Sequence, residues 1–365
     1  MKEQDAWLVL NAVPGLGSGR IRLLAGHFGS ANAVLEGTYE ELAGCGIITP
    51  HTARNIVHFP KDKFLGDEYN LVQCQGVRVL TAADEDFPQS LLDIPDAPVV
   101  LYVKGDARLL YAGAVALVGS RVSSHYGRST AERFAAAFAQ AGLVVVSGLA
   151  RGIDTAAHRG CLDAGGKTVA VLGCGLAHVY PKENSALLAA IIQNGAAVSE
   201  LPLGTPPLPL NFPRRNRIIT GLSAATVVVE AGEKSGALIS AVYAAEQGKD
   251  VFAVPANVDH ETAAGSNRLI KDGVRVALSP LDVLEEIKGS LQMAFPAVLA
   301  ETGAARVTLT DGEMGFYQCL SSEPVHIDEL LTQANRPPHE AAQAMLNLEL
   351  KGVVRQLPGK YYVKI

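Results

Sequence analysis

Between Ala114 and Gly166 one pattern occurs twice in succession: a short uninterrupted apolar run, a turn of small residues, and a helical period. Ala114 to Val118 is the first run, and Gly119-Ser120-Arg121 follows at once. From Tyr126 to Gln140 the residues Ala131, Phe134 and Phe138, with Ala141 just beyond, recur at three- and four-residue spacing, which predicts one apolar helix face. Such a face needs a sheet to cover. Leu143 to Val146 supplies the next strand, and Ser147-Gly148-Leu149-Ala150-Arg151-Gly152 forms the second turn, ahead of a helix that Asp154 or Thr155 is placed to cap. The stretch is a βαβ unit and the start of its repeat.

Those turns carry the chemistry. Past the carboxyl end of a parallel strand the next helix presents unpaired backbone N–H groups, and small residues such as Gly119, Ser120, Ser147 and Gly148 let an anion reach them. Arg121 adds a fixed positive fork. One such turn is equally well a plain connection; two adjacent ones favour a phosphate-binding crevice.

The alternation continues. Thr168 to Leu172, Ala196 to Ser199, Ala225 to Val229 and Asp250 to Val254 read as buried strands, with helices expected at Asn184 to Gln193, Arg214 to Leu222, Ala237 to Gln247 and Ser266 to Lys271. Apolar strands alternating with helices predict an α/β fold, a parallel sheet covered on both faces. Right-handed crossovers then place every carboxyl end on one rim. Gly119 to Arg121, Ser147 to Asp154, Gly173 to Lys182, Glu200, Glu230 to Gly236 and Pro255 to Asn257 become neighbours there.

A chain of 365 residues, 48% of them hydrophobic, suffices for two or three domains with a large core. No segment approaches the roughly 18 consecutive apolar residues of a membrane helix, and Met1-Lys2-Glu3-Gln4-Asp5 does not resemble a signal peptide, so a soluble cytoplasmic protein is expected. Cys45, Cys74, Cys161, Cys174 and Cys319 are scattered without metal or redox spacing and read as unpaired thiols. The net charge of −6 argues by itself against nucleic acid, yet a local basic stripe can dominate the field of a cleft.

Residues 1–70 read as a helical domain in which glycine hairpins join helix pairs. Val13-Pro14-Gly15-Leu16-Gly17 lies between Ala6 to Ala12 and Ser18 to His27, and Gly44-Cys45-Gly46-Ile47 between Tyr39 to Ala43 and Thr52 to Phe59. Such repeats resemble helix-hairpin-helix (SAM-like) units that hold phosphates; glycine C-caps between packed helices are the reading that the acidic Glu36, Glu40 and Glu41 favour. Residues 71–288 form the sheet domain, with strands expected at Val77 to Leu80 and Val99 to Val103. A linker follows at 289–306, its weak periodicity running from Leu291 to Val307. Residues 307–365 contain helical patterns at Glu313 to Leu320, Ile327 to Gln333 and Pro338 to Lys351. Two strands, Val353 to Leu357 and Tyr361 to Val363, then flank Pro358-Gly359-Lys360 in the order of a winged helix.

The basic stripe is Phe212-Pro213-Arg214-Arg215-Asn216-Arg217, inside a window from Thr205 to Leu222 that holds no acid. Arginines opening a helix combine charge, forked donors and helix N-terminal amides, the outline of a phosphate clamp. Ser235-Gly236 offers another anion-compatible turn. Competing chemistries fit less well. Gly173-Cys174-Gly175 with Glu200 suggests a dinucleotide site, but His178 stands where the third glycine belongs and Tyr180-Pro181 interrupts the helix. Asp154 and His158 share a helix face, a pairing that usually caps and packs. Glu200 and Glu230 are expected to hold guanidinium groups in place.

Gly119-Ser120-Arg121, the Ser147 to Asp154 run with His158, Gly173-Cys174-Gly175 with Tyr180-Pro181, Ser199-Glu200, Phe212 to Arg217 and Glu230 to Gly236 together resemble the DNA-processing protein DprA/Smf family. The likeness is dense from Ala114 to Gly273 and looser in the flanks. It implies an extended Rossmann-like domain, without a catalytic residue, metal or cofactor, that binds single-stranded DNA. It further implies loading of the RecA recombinase in natural transformation, usually as a homodimer. The DNA-contacting positions of the family fall on Arg121, Lys182 and Phe212 to Arg217; with the anion turns, the expected DNA-binding set is Gly119, Ser120, Arg121, Ser147, Gly148, Lys182, Phe212, Arg214, Arg215, Asn216, Arg217, Ser235 and Gly236. Pro255-Ala256-Asn257 departs from the Pro-Gly common in that family. The rival reading is a nucleotide-processing enzyme of the phosphoribohydrolase type, whose glycine motif Glu230-Ala231-Gly232-Glu233-Lys234-Ser235-Gly236 matches only in part.

Overall fold

A computed structural model describes residues 1–294, 310–320, 325–334, 341, 344–345, 347–348, 354–357 and 359–364. The chain forms two compact units, Met1–Thr302 and Gly303–Ile365. The first is built on a sheet of nine strands: β1 Arg78–Thr81, β2 Val100–Gly105, β3 Ala114–Gly119, β4 Val144–Ser147, β5 Thr168–Val171, β6 Ala196–Ser199, β7 Ala225–Glu230, β8 Asp250–Ala253 and β9 Arg275–Val276. Their spatial order is β1-β2-β6-β5-β4-β3-β7-β8-β9. All pairs from β6 to β9 are parallel, and β1 and β2 add an antiparallel edge.

Winding runs outward from β3 through β4 and β5 to β6, then returns to β3 and continues through β7 to β9. The chain direction therefore reverses between β3 and β7, and a crevice must open past their carboxyl ends, where the flanking connections leave to opposite faces. The strands expected from the apolar runs are all present; β9 was not expected. With only two residues, both exposed, it carries no apolar run to read.

Strand alternation sorts the core. Val115 and Leu117 point to one face, against Phe134 and Phe138 of the helix His125–Gln140 and Ala157 of Ile153–Asp163. Ala114, Ala116 and Val118 point to the other, against Ile218, Ile219 and Leu222 at the end of Asn211–Gly221 and Ala241 of Ala237–Glu246. Both faces are covered because a parallel sheet hides its polar backbone only between two layers.

Residues 1–70 are helical, with Glu3–Ala12, Ser18–Phe28, Tyr39–Gly44 and Pro50–Val57 close to their expected spans. Two further helices occur. Ala31–Glu36 starts at Ser30, whose hydroxyl accepts from Ala33 N at 3.0 Å, and Lys61–Gln75 runs through residue 70. The core of this segment is continuous with the sheet unit, since Trp7, Leu8 and Ile56 belong to one apolar cluster with Tyr102, Ala170 and Leu188. Helix Pro280–Ala294 occupies the first residues of the expected linker, and the remainder of that stretch lies outside the described residues.

The second unit has helices Asp311–Gln318 and Ile327–Ala334 and a three-stranded sheet. Its strands are β10 Val325–His326, β11 Val354–Leu357 and β12 Tyr361–Lys364, in the order β10-β12-β11. The expected helix Pro338 to Lys351 falls largely outside the described residues; Ala341, Ala344, Met345 and Leu348 are buried there beside Phe316 and Leu330. That is the winged-helix arrangement read from the sequence.

Candidate functional site

The crevice at the β3/β7 reversal has a volume of about 730 Å³. Its walls are the turn after β3, the first turns of Asn211–Gly221 and Ala237–Glu246, and the loop Gly232–Gly236. The β3/β7 register shifts between Val118 and Gly119, and Ser120 N donates to Glu230 O at 2.7 Å. This irregularity lifts the Gly119-Ser120-Arg121 turn over the crevice.

The turn after β4 packs beneath it. Ile153 N donates to Ser120 O at 3.2 Å, and a Cβ on Gly152, which has φ 75°, would lie 2.3 Å from that same oxygen. Leu149 adopts φ 58° although it carries a side chain, an arrangement that costs about 1–2 kcal/mol. Its buried side chain and the Asn184 Nδ2 bond to Leu149 O at 2.9 Å hold it there. Neither capping candidate closes the following helix. Asp154 accepts from Ala150 N at 3.2 Å inside the turn, and Thr155 Oγ1 donates to Ala150 O at 2.7 Å.

Eight of the thirteen expected positions line the crevice: Gly119, Ser120, Arg121, Phe212, Arg215, Asn216, Ser235 and Gly236. Arg121 is exposed, its guanidinium carbon 5.2 Å from the centre of the Phe212 ring, and Phe212 lies 5.1 Å from the Tyr180 ring. An apolar, cationic platform thus stands at the mouth. Asn216 Nδ2 donates to Gly236 O at 3.2 Å and ties two helix starts together. Neither N-cap residue contributes a side-chain bond, but most of the first amides are already engaged: Asn211 N by Leu208 O, Ala237 N by Ser235 Oγ, and Leu238 N and Ile239 N by Ser235 O and Gly236 O.

Arg215 forms the floor. It is 4% exposed and donates from Nη1 to Gly148 O at 2.7 Å and to Val171 O, and from Nε to Asn216 Oδ1 at 3.2 Å. Burial lowers its pKa to about 10 while Asp154 opposes the shift, so the guanidinium stays charged near neutral pH. Burial likewise raises the pKa of Asp154, against the pull of Arg215. The floor is a cation held by two backbone carbonyls, with Asp154 close by.

The other five positions lie elsewhere. Ser147 is fully buried and donates to Leu117 O at 2.6 Å, a structural bond between neighbouring strands. Gly148 sits beneath Arg215, where a Cβ would be 2.4 Å from the guanidinium. Lys182 is exposed at the start of the short turn Lys182–Asn184, outside the crevice lining. Arg214 packs against Gly17. Arg217 is 2% exposed and bound to Glu200 and Asp96 on the opposite side of its helix, which corrects its expected place on the rim.

Glu200 does hold a guanidinium, as expected; Glu230 does not. Glu230 is 1% exposed and accepts from Ser124 N at 3.1 Å and Ser124 Oγ at 2.8 Å, fixing the cap of His125–Gln140. His158 is fully buried against Thr168, not in the crevice. Lys234 and Tyr180 also line the crevice; both fall in runs expected on the rim but were left out of the expected DNA-binding set, and Ser240 was not singled out at all. A lysine directly before Ser235-Gly236 at a strand end was the available signal for the first. Among the described residues no group of three or more His, Cys, Asp or Glu is placed to hold a metal ion. Nor is any helix there long and apolar enough to cross a membrane.

Comparison with known proteins gives two family matches, DNA recombination-mediator protein A over residues 78–288 and the DprA winged helix domain over residues 300–360. Protein Smf of Escherichia coli (strain K12) is 34% identical over 366 residues, 99% of this chain and 96% of that protein. The X-ray structure of DNA processing protein A from Streptococcus pneumoniae superposes with a TM-score of 0.68 at 36% identity, covering 77% of this chain and 97% of that one. A structure of DNA processing protein A from Helicobacter pylori, described for its single-stranded DNA binding mode, gives a TM-score of 0.53 at 28% identity over 59% of this chain and 96% of that one.

Proposed function

The chain belongs to the DprA/Smf family, and from that premise we propose that the β3/β7 crevice binds single-stranded DNA, with backbone phosphates at the Arg121 and Lys234 side chains and bases against the aromatic mouth. The observation that carries the reading is the exposed Arg121 guanidinium over Phe212, with Tyr180 alongside. A cation on an aromatic face gives charge to a phosphate and a stacking surface to any base. A duplex keeps its bases turned inward and cannot use the second half of that site. The exposed Leu208 and Leu210 near the mouth extend its apolar side.

Binding of this kind ignores sequence and falls steeply with salt, because most of the affinity comes from counterions released from phosphates. The biological role we assign is protection of incoming single strands and loading of the RecA recombinase in natural transformation, by a cytoplasmic homodimer that catalyses no reaction. The relatives favour this role over the phosphoribohydrolase alternative. Titration of the full chain with labelled single-stranded and duplex oligonucleotides of equal length, at two salt concentrations, tests the crevice. Tighter binding of duplex, or no binding of single strands at low salt, refutes it.

A further inference from the structure

The helix Asn211–Gly221 supplies Phe212, Arg215 and Asn216 to the crevice, and its opposite side is held by an N-terminal segment. Arg217 Nη2 donates to Glu200 Oε2 at 2.5 Å and Nε to Asp96 Oδ2 at 3.1 Å. Both carboxylates are also engaged by the first residues of the helix Ser18–Phe28. Ser18 Oγ donates to Glu200 Oε2 at 3.4 Å and Gly19 N to Asp96 Oδ1 at 3.0 Å. Asn11 Nδ2 donates to Glu200 O at 2.7 Å. Arg214 adds to this packing, its Nη2 lying 3.2 Å from where a Cβ on Gly17 would stand. The start of Ser18–Phe28 therefore meets Asp96 through the Gly19 amide and Glu200 through the Ser18 hydroxyl, and it grips the DNA-site helix through these two acids.

Resting on the crevice reading above, we infer that Arg217 is a positioning residue for single-strand binding and that the segment of residues 11–19, acting through Glu200 and Asp96, sets the affinity of a site it does not touch. The physical reason is the fork. Arg217 is 2% exposed, and its planar guanidinium fixes direction as well as distance toward two acids. Phe212 and Asn216 stand within one and a half turns of it on the same rigid helix. A helix released from that segment turns or slides, and the aromatic mouth moves away from Arg121.

The test is fluorescence anisotropy of a labelled oligothymidine with the full chain over a salt series, comparing Arg217→Ala, Arg217→Lys and Ser18→Ala with the parent and with Arg121→Ala. Thermal melts ensure that each variant is folded at the temperature used. Arg217→Ala is expected to weaken binding roughly three- to tenfold with the parent's slope of log affinity against log salt, because every phosphate keeps its cationic partner. Arg217→Lys should recover part of the affinity, and Ser18→Ala should lower it about twofold. Arg121→Ala, by contrast, should reduce the slope by about one. Parent-like affinity in a folded Arg217→Ala overturns the inference, and so does a slope reduced by about one, which would make Arg217 a direct phosphate ligand. If Arg217→Ala does not fold, Ser18→Ala decides: weaker binding at unchanged slope supports the inference, and parent affinity overturns it. A parent chain that fails to bind single strands refutes the crevice reading, and this inference with it.

Discussion

Arg121 and His158 show how differently an ionisable side chain can be used within one domain. Arg121 makes no ion pair among the described residues and rests on Phe212, so its charge is available to a ligand. Replacing it with lysine keeps the charge but removes the planar stacking on the ring. We expect Arg121→Lys to retain the salt slope of single-strand binding while losing about 1 kcal/mol of affinity; equal affinity for the two would remove Phe212 from the site. His158 is the reverse case, buried and structural. The Thr168 hydroxyl gives its hydrogen to Val145 O at 2.6 Å, so His158 Nδ1 must donate to Thr168 Oγ1, 2.7 Å away, and Nε2 is left without a partner. Burial, with Arg215 nearby, lowers its pKa from 6.5 to about 3. Between those values the unfolded chain binds a proton that the folded chain refuses, so this contribution to stability is complete above pH 6.5 and is lost as pH falls towards 3. In urea denaturation between pH 6 and 4, the parent should lose stability faster than His158→Gln, by up to about 1.4 kcal/mol per pH unit. Parallel slopes would mean that His158 is protonated in the folded state.

The helix Asn211–Gly221 marks where the sequence was legible and where it was not. Its arginine run announced a functional element, yet successive helical residues turn by about 100°. Arg214, Arg215, Asn216 and Arg217 therefore point around the full circumference: to Gly17, to the carbonyls of Gly148 and Val171, to Gly236, and to Glu200 with Asp96. Charge in a linear window is visible in the sequence; which side faces the crevice depends on partners far away along the chain. The helix also starts three residues before the expected Arg214, because Pro213 in its first turn lacks only a donor that no carbonyl needs. The central parallel strands β3 to β7 were legible for the opposite reason, since each is a short apolar run buried on both faces, whereas the exposed β9 offered no such run. Gly148 tests the packing under this element. A methyl there would displace the Arg215 guanidinium from two carbonyls. Gly148→Ala should cost about 1–3 kcal/mol in urea denaturation with an unchanged m-value; parent stability would show that Arg215 can relocate without loss.

At the scale of the whole molecule the proposed site falls within one of the two units, and that assignment can be tested by separating them. Every side chain assigned to the crevice lies in Met1–Thr302, whose core clusters are complete without the second unit. The second unit closes its own core around Phe316, Leu330 and Met345. A chain ending at Thr302 severs no strand of the main sheet and removes no member of its core clusters, so it should fold and retain single-strand binding. The wing is expected to add a smaller electrostatic contribution. Lys360 is exposed at its turn, whereas Lys364 places its ammonium 4.3 Å from the Tyr317 ring centre and is partly engaged within the unit. Removing the wing should therefore lower affinity modestly and flatten the salt dependence, since each phosphate left without its cation takes about one unit from the slope. The decisive comparison sets this truncation against the full chain carrying Arg121→Ala, measuring single-strand and duplex affinity at two salt concentrations. The truncation should keep its preference for single strands, and the Arg121 variant should lose most of it. If the truncated chain loses single-strand binding while the Arg121 variant binds like the parent, the strand is held by the wing, and the β3/β7 crevice is not the DNA site.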